Sequence, residues 1–230
     1  MLDQLQEDGY AVLESVIAPD QVAALIEHFE KPIPVAKLYA RRNLLFDDRV
    51  QELAASPEIQ ALVQARLGPG AKFVKGIYFD KVPAFNWKVP WHQDVTITVA
   101  EKHETAGFGP WSVKDGVDNV QAPAEVLWNI LTVRLHLDDC GPDNGPVRAI
   151  PGTHRLGRIP EAEIDGLANG EVVCVVPAGG ALLMSPLILH ASSPSENPGH
   201  RRVVHMEFSA QPLPGNLKWL ADEPARMRRS

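Results

Sequence analysis

His92 and Asp94 stand two residues apart, between Pro90 and the β-rich run Val95-Thr96-Ile97-Thr98-Val99. In an extended strand, residues i and i+2 project from one face, so an imidazole and a carboxylate would point the same way. These are two corners of a 2-His-1-carboxylate face, which holds non-haem Fe(II) and leaves the opposite side open. The tripeptide alone is more simply a polar pair at a strand end. A second imidazole has to come from elsewhere in the chain.

Eight histidines compete for that place. His28 lies on a helical stretch among charged neighbours, and His103 sits between Lys102 and Glu104, so solvation explains both. His190 differs, because it closes the apolar run Ala181–Leu189, where a polar ring needs a partner. A core histidine hydrogen-bonded at a strand end is the competing reading. The segment after it, Ala191–Gly199, is turn-forming throughout and leads to Arg201 at the head of the strand Arg201–Phe208. If the strands on either side pair as antiparallel neighbours, Arg201 reaches the space beside His190. A 2-oxo acid chelating the metal through its C1 carboxylate and keto oxygen needs a planar, bidentate cation for its distal carboxylate. Arg202 is the rival, since period 2 sends the two arginines to opposite faces.

The elements that must position these residues are many and short. The chain has 230 residues, 45% of them hydrophobic, which suits a single domain over 1–230. Helical signals crowd residues 15–70: Pro19 with Val22, Leu25, Ile26 and Phe29 at helical spacing, the segment Asp47–Ala55, and Ser56-Pro57-Glu58 as a capped start. Strand-like runs fill a β core at about 71–210, so the fold is expected to be mainly β, a sandwich or barrel with helices packed on one side. Residues 101–123 form a long polar connection with Phe108 and Trp111 inside it, and connections of that length commonly act as lids. The formal net charge of −7 and the absence of a long basic stripe argue against a nucleic-acid surface, and the basic ending Ala225–Ser230 reads as a solvated terminus. Two cysteines make neither a disulfide framework nor a four-ligand zinc site, and Cys174 in Val172–Val176 is expected to be a small core residue. No apolar stretch approaches membrane-spanning length and Met1-Leu2-Asp3-Gln4 lacks a signal pattern, so a reducing cytoplasm is the expectation.

The combination His92-Gln93-Asp94, His190-Ala191-Ser192 and Arg201, eleven positions after His190, resembles the phytanoyl-CoA dioxygenase family. Gly9–Leu13, Phe79-Asp80-Lys81 with Asn86-Trp87, Asp143–Pro146 and Ile150–His154 carry the same likeness, so it runs from about Gly9 to Phe208. The resemblance implies a double-stranded β-helix, a jelly-roll or cupin-like barrel, and an Fe(II)- and 2-oxoglutarate-dependent oxygenase. It implies His92, Asp94 and His190 as metal ligands, selects Arg201 over Arg202 for the 2-oxoglutarate C5 carboxylate, and makes Ser192 a donor to that carboxylate. It also implies O2 as co-substrate and a small-molecule substrate that is hydroxylated with release of succinate and CO2. Related halogenases lack the carboxylate ligand, so Asp94 argues for hydroxylation over halogenation; desaturation and ring closure would use the same ligands.

Further contacts follow from parity. Lys75, Ile77, Phe79 and Lys81 share one strand face. Lys75 is named first as an additional 2-oxoglutarate contact, with Lys81 as an alternative on that face. Thr132, Arg134 and His136 share another face, which would make Arg134 a second anion site if it points into the barrel. Trp87 is placed in the substrate pocket, Trp111 and Lys114 in the lid, and His154 behind a ligand. Core packing explains Trp87 as well, and solvation explains Lys114. Two other functions fit the same barrel: a cupin-like metalloenzyme that does not use 2-oxoglutarate, and a non-catalytic ligand-binding barrel.

Overall fold

Helices α2 to α4 start where a side chain or proline suits the first turn. The computed structural model describes residues 1–31, 40–196 and 199–223. Helix α1 covers Leu2–Asp8. Helix α2 (Pro19–Glu30) opens on proline, and the Ala18 N–H donates to Gln21 Oε1 at 2.8 Å. In α3 (Asp48–Ala54) the Val50 N–H donates to Asp47, and in α4 (Pro57–Leu67) the Ile59 N–H donates to Ser56 Oγ. Their buried faces, Val22, Leu25 and Phe29 with Val50, Ile59 and Val63, cover one side of the main sheet.

That sheet is antiparallel and six-stranded. Its order is β1 (Tyr10–Leu13), β11 (Ala181–Met184), β8 (Ile130–His136), β13 (Arg202–Ser209), β3 (Lys72–Asp80) and β2 (Ala40–Arg42). Strands β8 and β13 are central and buried along their whole length. Alternation divides their faces: Val133, Leu135, Val204, Met206 and Phe208 meet the helices, whereas Arg134, Val203, His205 and Glu207 face the other way. Opposite lies a four-stranded antiparallel sheet, β10 (Val172–Cys174), β9 (Val147–Ala149), β12 (His190–Ser192) and β4 (Val89–His92). The two sheets form the expected double-stranded β-helix architecture, though their hydrogen bonding does not close into a continuous barrel. Cys174 joins Val147, Leu182 and Ile188 in the core between them, as expected of a small apolar residue.

Three sequence expectations change. The run Ala181–His190 is not one strand. Pro186 cannot donate to a ladder, so the chain turns at Ser185–Leu189 and enters the second sheet as β12. Strands β12 and β13 therefore do not pair with each other; they lie in opposite sheets. Residues 101–123 are not an unstructured connection either. Strands β6 (Trp111–Lys114) and β7 (Val117–Gln121) form a hairpin that pairs with β5 (Thr96–Thr98) in a three-stranded sheet. Its turn, Asp115-Gly116, has φ of 49° and 78°, the positive pair that a tight hairpin turn requires. Trp219 is buried with Leu213 and Leu217 behind this sheet, and its indole N–H donates to Gln211 O at 2.8 Å. The turn residues Asn197-Pro198 and the basic terminus lie outside the described residues. Among the described residues no helix is long and apolar enough to cross a membrane.

Candidate metal centre

His92 ends β4 and His190 begins β12, and the two are cross-strand partners. Side chains directly opposite in an antiparallel pair are close neighbours. Their ring centroids are 4.2 Å apart. Asp94 lies beyond the end of β4 rather than within a regular strand, yet it reaches the same side. Its Oδ1 is 3.6 Å from His92 Nε2 and its Oδ2 3.6 Å from His190 Nε2. One ligand atom from each of the three residues falls within a 4.8 Å group, the only such group among the described residues.

The turn that carries Asp94 is held from behind. Gln93 is buried and faces away from the metal side. Its amide donates to Gly157 O at 2.8 Å and Leu187 O at 2.6 Å and accepts from the Ile159 N–H at 2.8 Å. The Asp94 N–H donates to Pro186 O at 2.9 Å. The proline that breaks the apolar run thus ties one ligand to the corner leading to the other. Thr153 completes the brace: its hydroxyl donates to Ile150 O and accepts from the Leu189 N–H at 2.9 Å, just before His190.

Hydrogen bonds fix which ring nitrogens can bind metal. His92 Nδ1 lies 2.9 Å from Pro90 O, and His190 Nδ1 lies 3.0 Å from Ile188 O. A carbonyl only accepts, so each Nδ1 carries the hydrogen and each Nε2 lone pair faces Asp94. Burial, with the charge of His92, pushes His190 down to about 3, so its imidazole is neutral. Burial would raise Asp94, but His190 and His92 outweigh it and hold the carboxyl well below its ordinary range. Burial would lower His92, but Asp94 outweighs it and raises that imidazole, so His92 gives up a proton when it binds a metal. With both rings neutral, two imidazoles and one carboxylate are the donor set that suits a divalent first-row metal such as Fe(II).

The cavity around this face has two lobes that share Lys75, Ile77, Phe79, His92 and Asp94. The deep lobe, of about 260 Å³, runs between the sheets and is lined by Trp87, Val89, Val147, Arg134, Ser192, Arg201 and His205. Arg201 is 3% exposed, and its Nη1 donates to Gly145 O. Gly145 has φ of 57°, and a Cβ there would lie 2.6 Å from Ser193 O, so glycine lets this turn pack against the backbone of Ser193–Ser195. The Nε of Arg201 is buried without a hydrogen-bond partner. Arg202 points the other way, into Asp138 and Glu30. The alternation that separates the two arginines is therefore as expected, although Arg201 meets His190 across the gap between sheets and not along a shared ladder.

Lys81, not Lys75, stands beside Arg201. Their backbones exchange hydrogen bonds, and Lys81 Nζ donates to Ser192 Oγ at 3.1 Å and Ser193 O at 2.8 Å. Burial and the charges of Arg201 and Arg134 push its ammonium down to about 7. Burial likewise brings Arg201 down to about 10. Lys75 lines the cavity at its far end, where Nζ donates to Glu207 Oε1 and to Thr96 O, both at 2.7 Å. Lys81 follows the end of β3, six positions along the chain from Lys75, roughly 20 Å of extended backbone. Lys75 is thus engaged by Glu207 and Thr96, whereas Lys81 is the lysine that adjoins Arg201.

Arg134 does point inward. Its Nη1 is 3.0 Å from His205 Nδ1, and His205 Nε2 is 3.2 Å from Glu207 Oε1. Because the guanidinium only donates, His205 accepts at Nδ1 and donates from Nε2 to Glu207. Sequence reasoning missed His205 and Glu207, although the parity that places Arg201 on the cavity face places them there too. Trp87 lines the deep lobe, with Lys81 Nζ 5.4 Å from its ring centroid. Lys114 lines the outer lobe. Trp111 lines neither; it packs against the core behind the three-stranded sheet. His154 is also away from the metal, stacked on Trp128 with its Nε2 3.2 Å from Gln6 O. Its neighbour Thr153 makes the supporting contact expected of it.

Two facing antiparallel sheets with a two-histidine, one-carboxylate face between them define a cupin-like double-stranded β-helix with a candidate metal centre. The phytanoyl-CoA dioxygenase family pattern matches residues 5–203, and the chain belongs to that family. It is 26% identical over 164 residues to the ectoine dioxygenase of Sphingopyxis alaskensis, covering 64% of this chain and 47% of that protein. The match thus spans about half of that relative's length. Among solved structures, AviO1 from Streptomyces viridochromogenes superposes with a TM-score of 0.65 at 23% identity, covering 93% of this chain and 95% of that one. HygX from Streptomyces hygroscopicus, solved with nickel and 2-oxoglutarate bound, gives 0.64 at 13% identity, covering 91% and 86%. Both likenesses show the shared fold.

Proposed function

We propose that this chain is an Fe(II)- and 2-oxoglutarate-dependent dioxygenase that hydroxylates a small molecule. The observation that carries the reading is the pairing, in one cavity, of the His92–Asp94–His190 face with the buried Arg201 guanidinium, which makes no carboxylate ion pair among the described residues. When bound, Fe(II) with 2-oxoglutarate and O2 supplies C–H oxidation coupled to formation of succinate and CO2.

The chain's own residues supply placement. His92, Asp94 and His190 occupy one side of a metal, and their backbone and Gln93 contacts keep that side rigid. Asp94 fills the position that must be vacant for halide to bind, which favours hydroxylation. Arg201, Ser192 and Lys81 converge where the distal carboxylate of 2-oxoglutarate would lie, and a dianion there relieves the mutual repulsion of three buried cations, Arg134 included. Val89, Val147 and Phe79 wall this lobe with apolar surface that keeps water out. The family membership and the ectoine dioxygenase relatives support the same chemistry.

The test is spectroscopic. Anaerobic addition of Fe(II) and 2-oxoglutarate should produce the weak visible charge-transfer absorption of a chelated keto acid. A folded, iron-loaded sample with no such band would overturn the reading. Screening small molecules by succinate formation then finds the substrate.

A further inference from the structure

The outer lobe, of about 250 Å³, shares His92 and Asp94 with the deep lobe but is not lined by Arg201. Its lining includes Arg42, Lys75 and Lys114 but only one carboxylate, the metal ligand Asp94. A protein of net charge −7 therefore opens a locally cationic mouth onto its metal face. Lys75 is already held by Glu207. Arg42 and Lys114 make no ion pair or side-chain hydrogen bond among the described residues, whereas surface cations such as Lys72, Arg148 and Lys218 each hold a carboxylate.

The fold aims both groups at the same space. Arg42 ends edge strand β2 opposite Ile77, a residue that lines both lobes. Alternation sends its neighbour Arg41 to the other face, over the rings of Phe29 and Tyr78. Lys114 ends β6 at the hairpin turn, and Asn43 Nδ2 donates to Asp115 O at 3.2 Å, tying that turn to the residue after Arg42. Two arms from distant parts of the chain are thus clasped so that a guanidinium and an ammonium face one cavity. Burial, Lys75 and Arg42 together lower the Lys114 pKa, so the three cations are near enough to repel.

We propose that Arg42 and Lys114 clamp an oxyanion carried by the oxidised substrate, a carboxylate or a phosphate, so that the rest of the substrate extends toward Asp94. This rests on the oxygenase reading and adds the substrate class: a small organic acid or phosphate ester. Arg42 presents a planar fork suited to two oxygens, and Lys114 a point charge.

The full chain, with one equivalent of 2-oxoglutarate, is titrated with methyl phosphate and separately with butyrate, followed by saturation-transfer NMR. At least one probe should bind at a single saturable site, and the tighter one identifies the oxyanion. Arg42→Gln or Lys114→Gln should weaken it about tenfold, the double variant should abolish it, and Arg42→Lys should retain part. Both side chains are exposed and make no ion pair or side-chain hydrogen bond among the described residues, so folding is not at risk. Unchanged affinity in the double variant, or no saturable binding of either probe, would overturn the clamp. The anaerobic Fe(II)/2-oxoglutarate band is read on the same samples. A band without probe binding removes the clamp alone; probe binding without a band leaves an anion site but takes the oxidised substrate away from it.

Discussion

The two lobes of the cavity hold positive charge in opposite ways. In the deep lobe Arg201, Arg134 and Lys81 are buried, 3%, 8% and 1% exposed; burial depresses the ionisation of all three, and neighbouring arginine charge depresses Arg201 and Lys81 further. In the outer lobe Arg42 and Lys114 are exposed. Buried charges interact strongly because little water screens them, but only a ligand of matching charge and shape relieves their desolvation. Exposed charges attract many anions weakly and are screened by salt. The contrast suits a site that meets one invariant co-substrate at depth and a second molecule at the mouth.

The largest effects should come from the face between the lobes. His190→Ala removes a ligand whose Nε2 is 3.6 Å from Asp94 Oδ2. Fe(II) affinity, measured by competition with a chelator, should fall by more than the ~100-fold that loss of an outer-shell contact can cause. The charge-transfer band should vanish; a surviving band would remove His190 from the site. Next comes Arg201→Ala, which should weaken 2-oxoglutarate by roughly 30-fold or more, as truncating a buried charge partner does. Arg202→Ala is the matched control: it breaks the contacts to Asp138 and Glu30 and should lower stability while leaving 2-oxoglutarate affinity unchanged. Equal losses in the two variants would erase the distinction between the lobe and the outer face.

Much of this site was legible because its logic is local. The spacing His92-x-Asp94, a histidine closing an apolar run and two arginines separated by strand parity are each visible in the chain. Pairing was not. That His190 lies opposite His92 depends on the turn at Pro186, which hands the chain from one sheet to the other, and the apolar run concealed it. The Asp115-Gly116 turn was a readable hairpin signal obscured by the polarity around it. Lys75 and Lys81 share a parity, so sequence could not choose between them; only the position of Arg201 along the neighbouring strand does. Trp111 and His154 have residue types that suit a site, and nothing local reveals that they pack elsewhere.

Lys81 makes the deep lobe sensitive to pH. Its ammonium titrates at about 7 in the free protein, below its ordinary value of 10.5. Below pH 7 the group is already charged and binds a dianion without proton uptake. Above it the amine is neutral, so binding must take up a proton, and affinity should fall as pH rises, by up to about tenfold per unit. From pH 6.5 to 8 the 2-oxoglutarate Kd should rise about tenfold, with proton uptake measured by calorimetry in buffers of different ionisation enthalpy. Lys81→Met should flatten this profile. An unchanged slope in the variant would assign the proton elsewhere.

Salt separates the lobes by the smallest but most direct margin. The screening length falls from about 10 Å at 0.1 M to about 3 Å at 1 M, and it acts fully only on charges that water reaches. Raising sodium chloride across that range should weaken methyl phosphate or butyrate at Arg42 and Lys114 several-fold. The Arg201 contribution to 2-oxoglutarate binding, taken as the ratio of wild-type to Arg201→Ala affinity, should change less, because that guanidinium is 3% exposed. Buried charge pairs keep their coupling in salt; exposed pairs lose most of theirs. If both contributions fall with the same slope, the deep lobe is as wet as the mouth, and burial is not what distinguishes them.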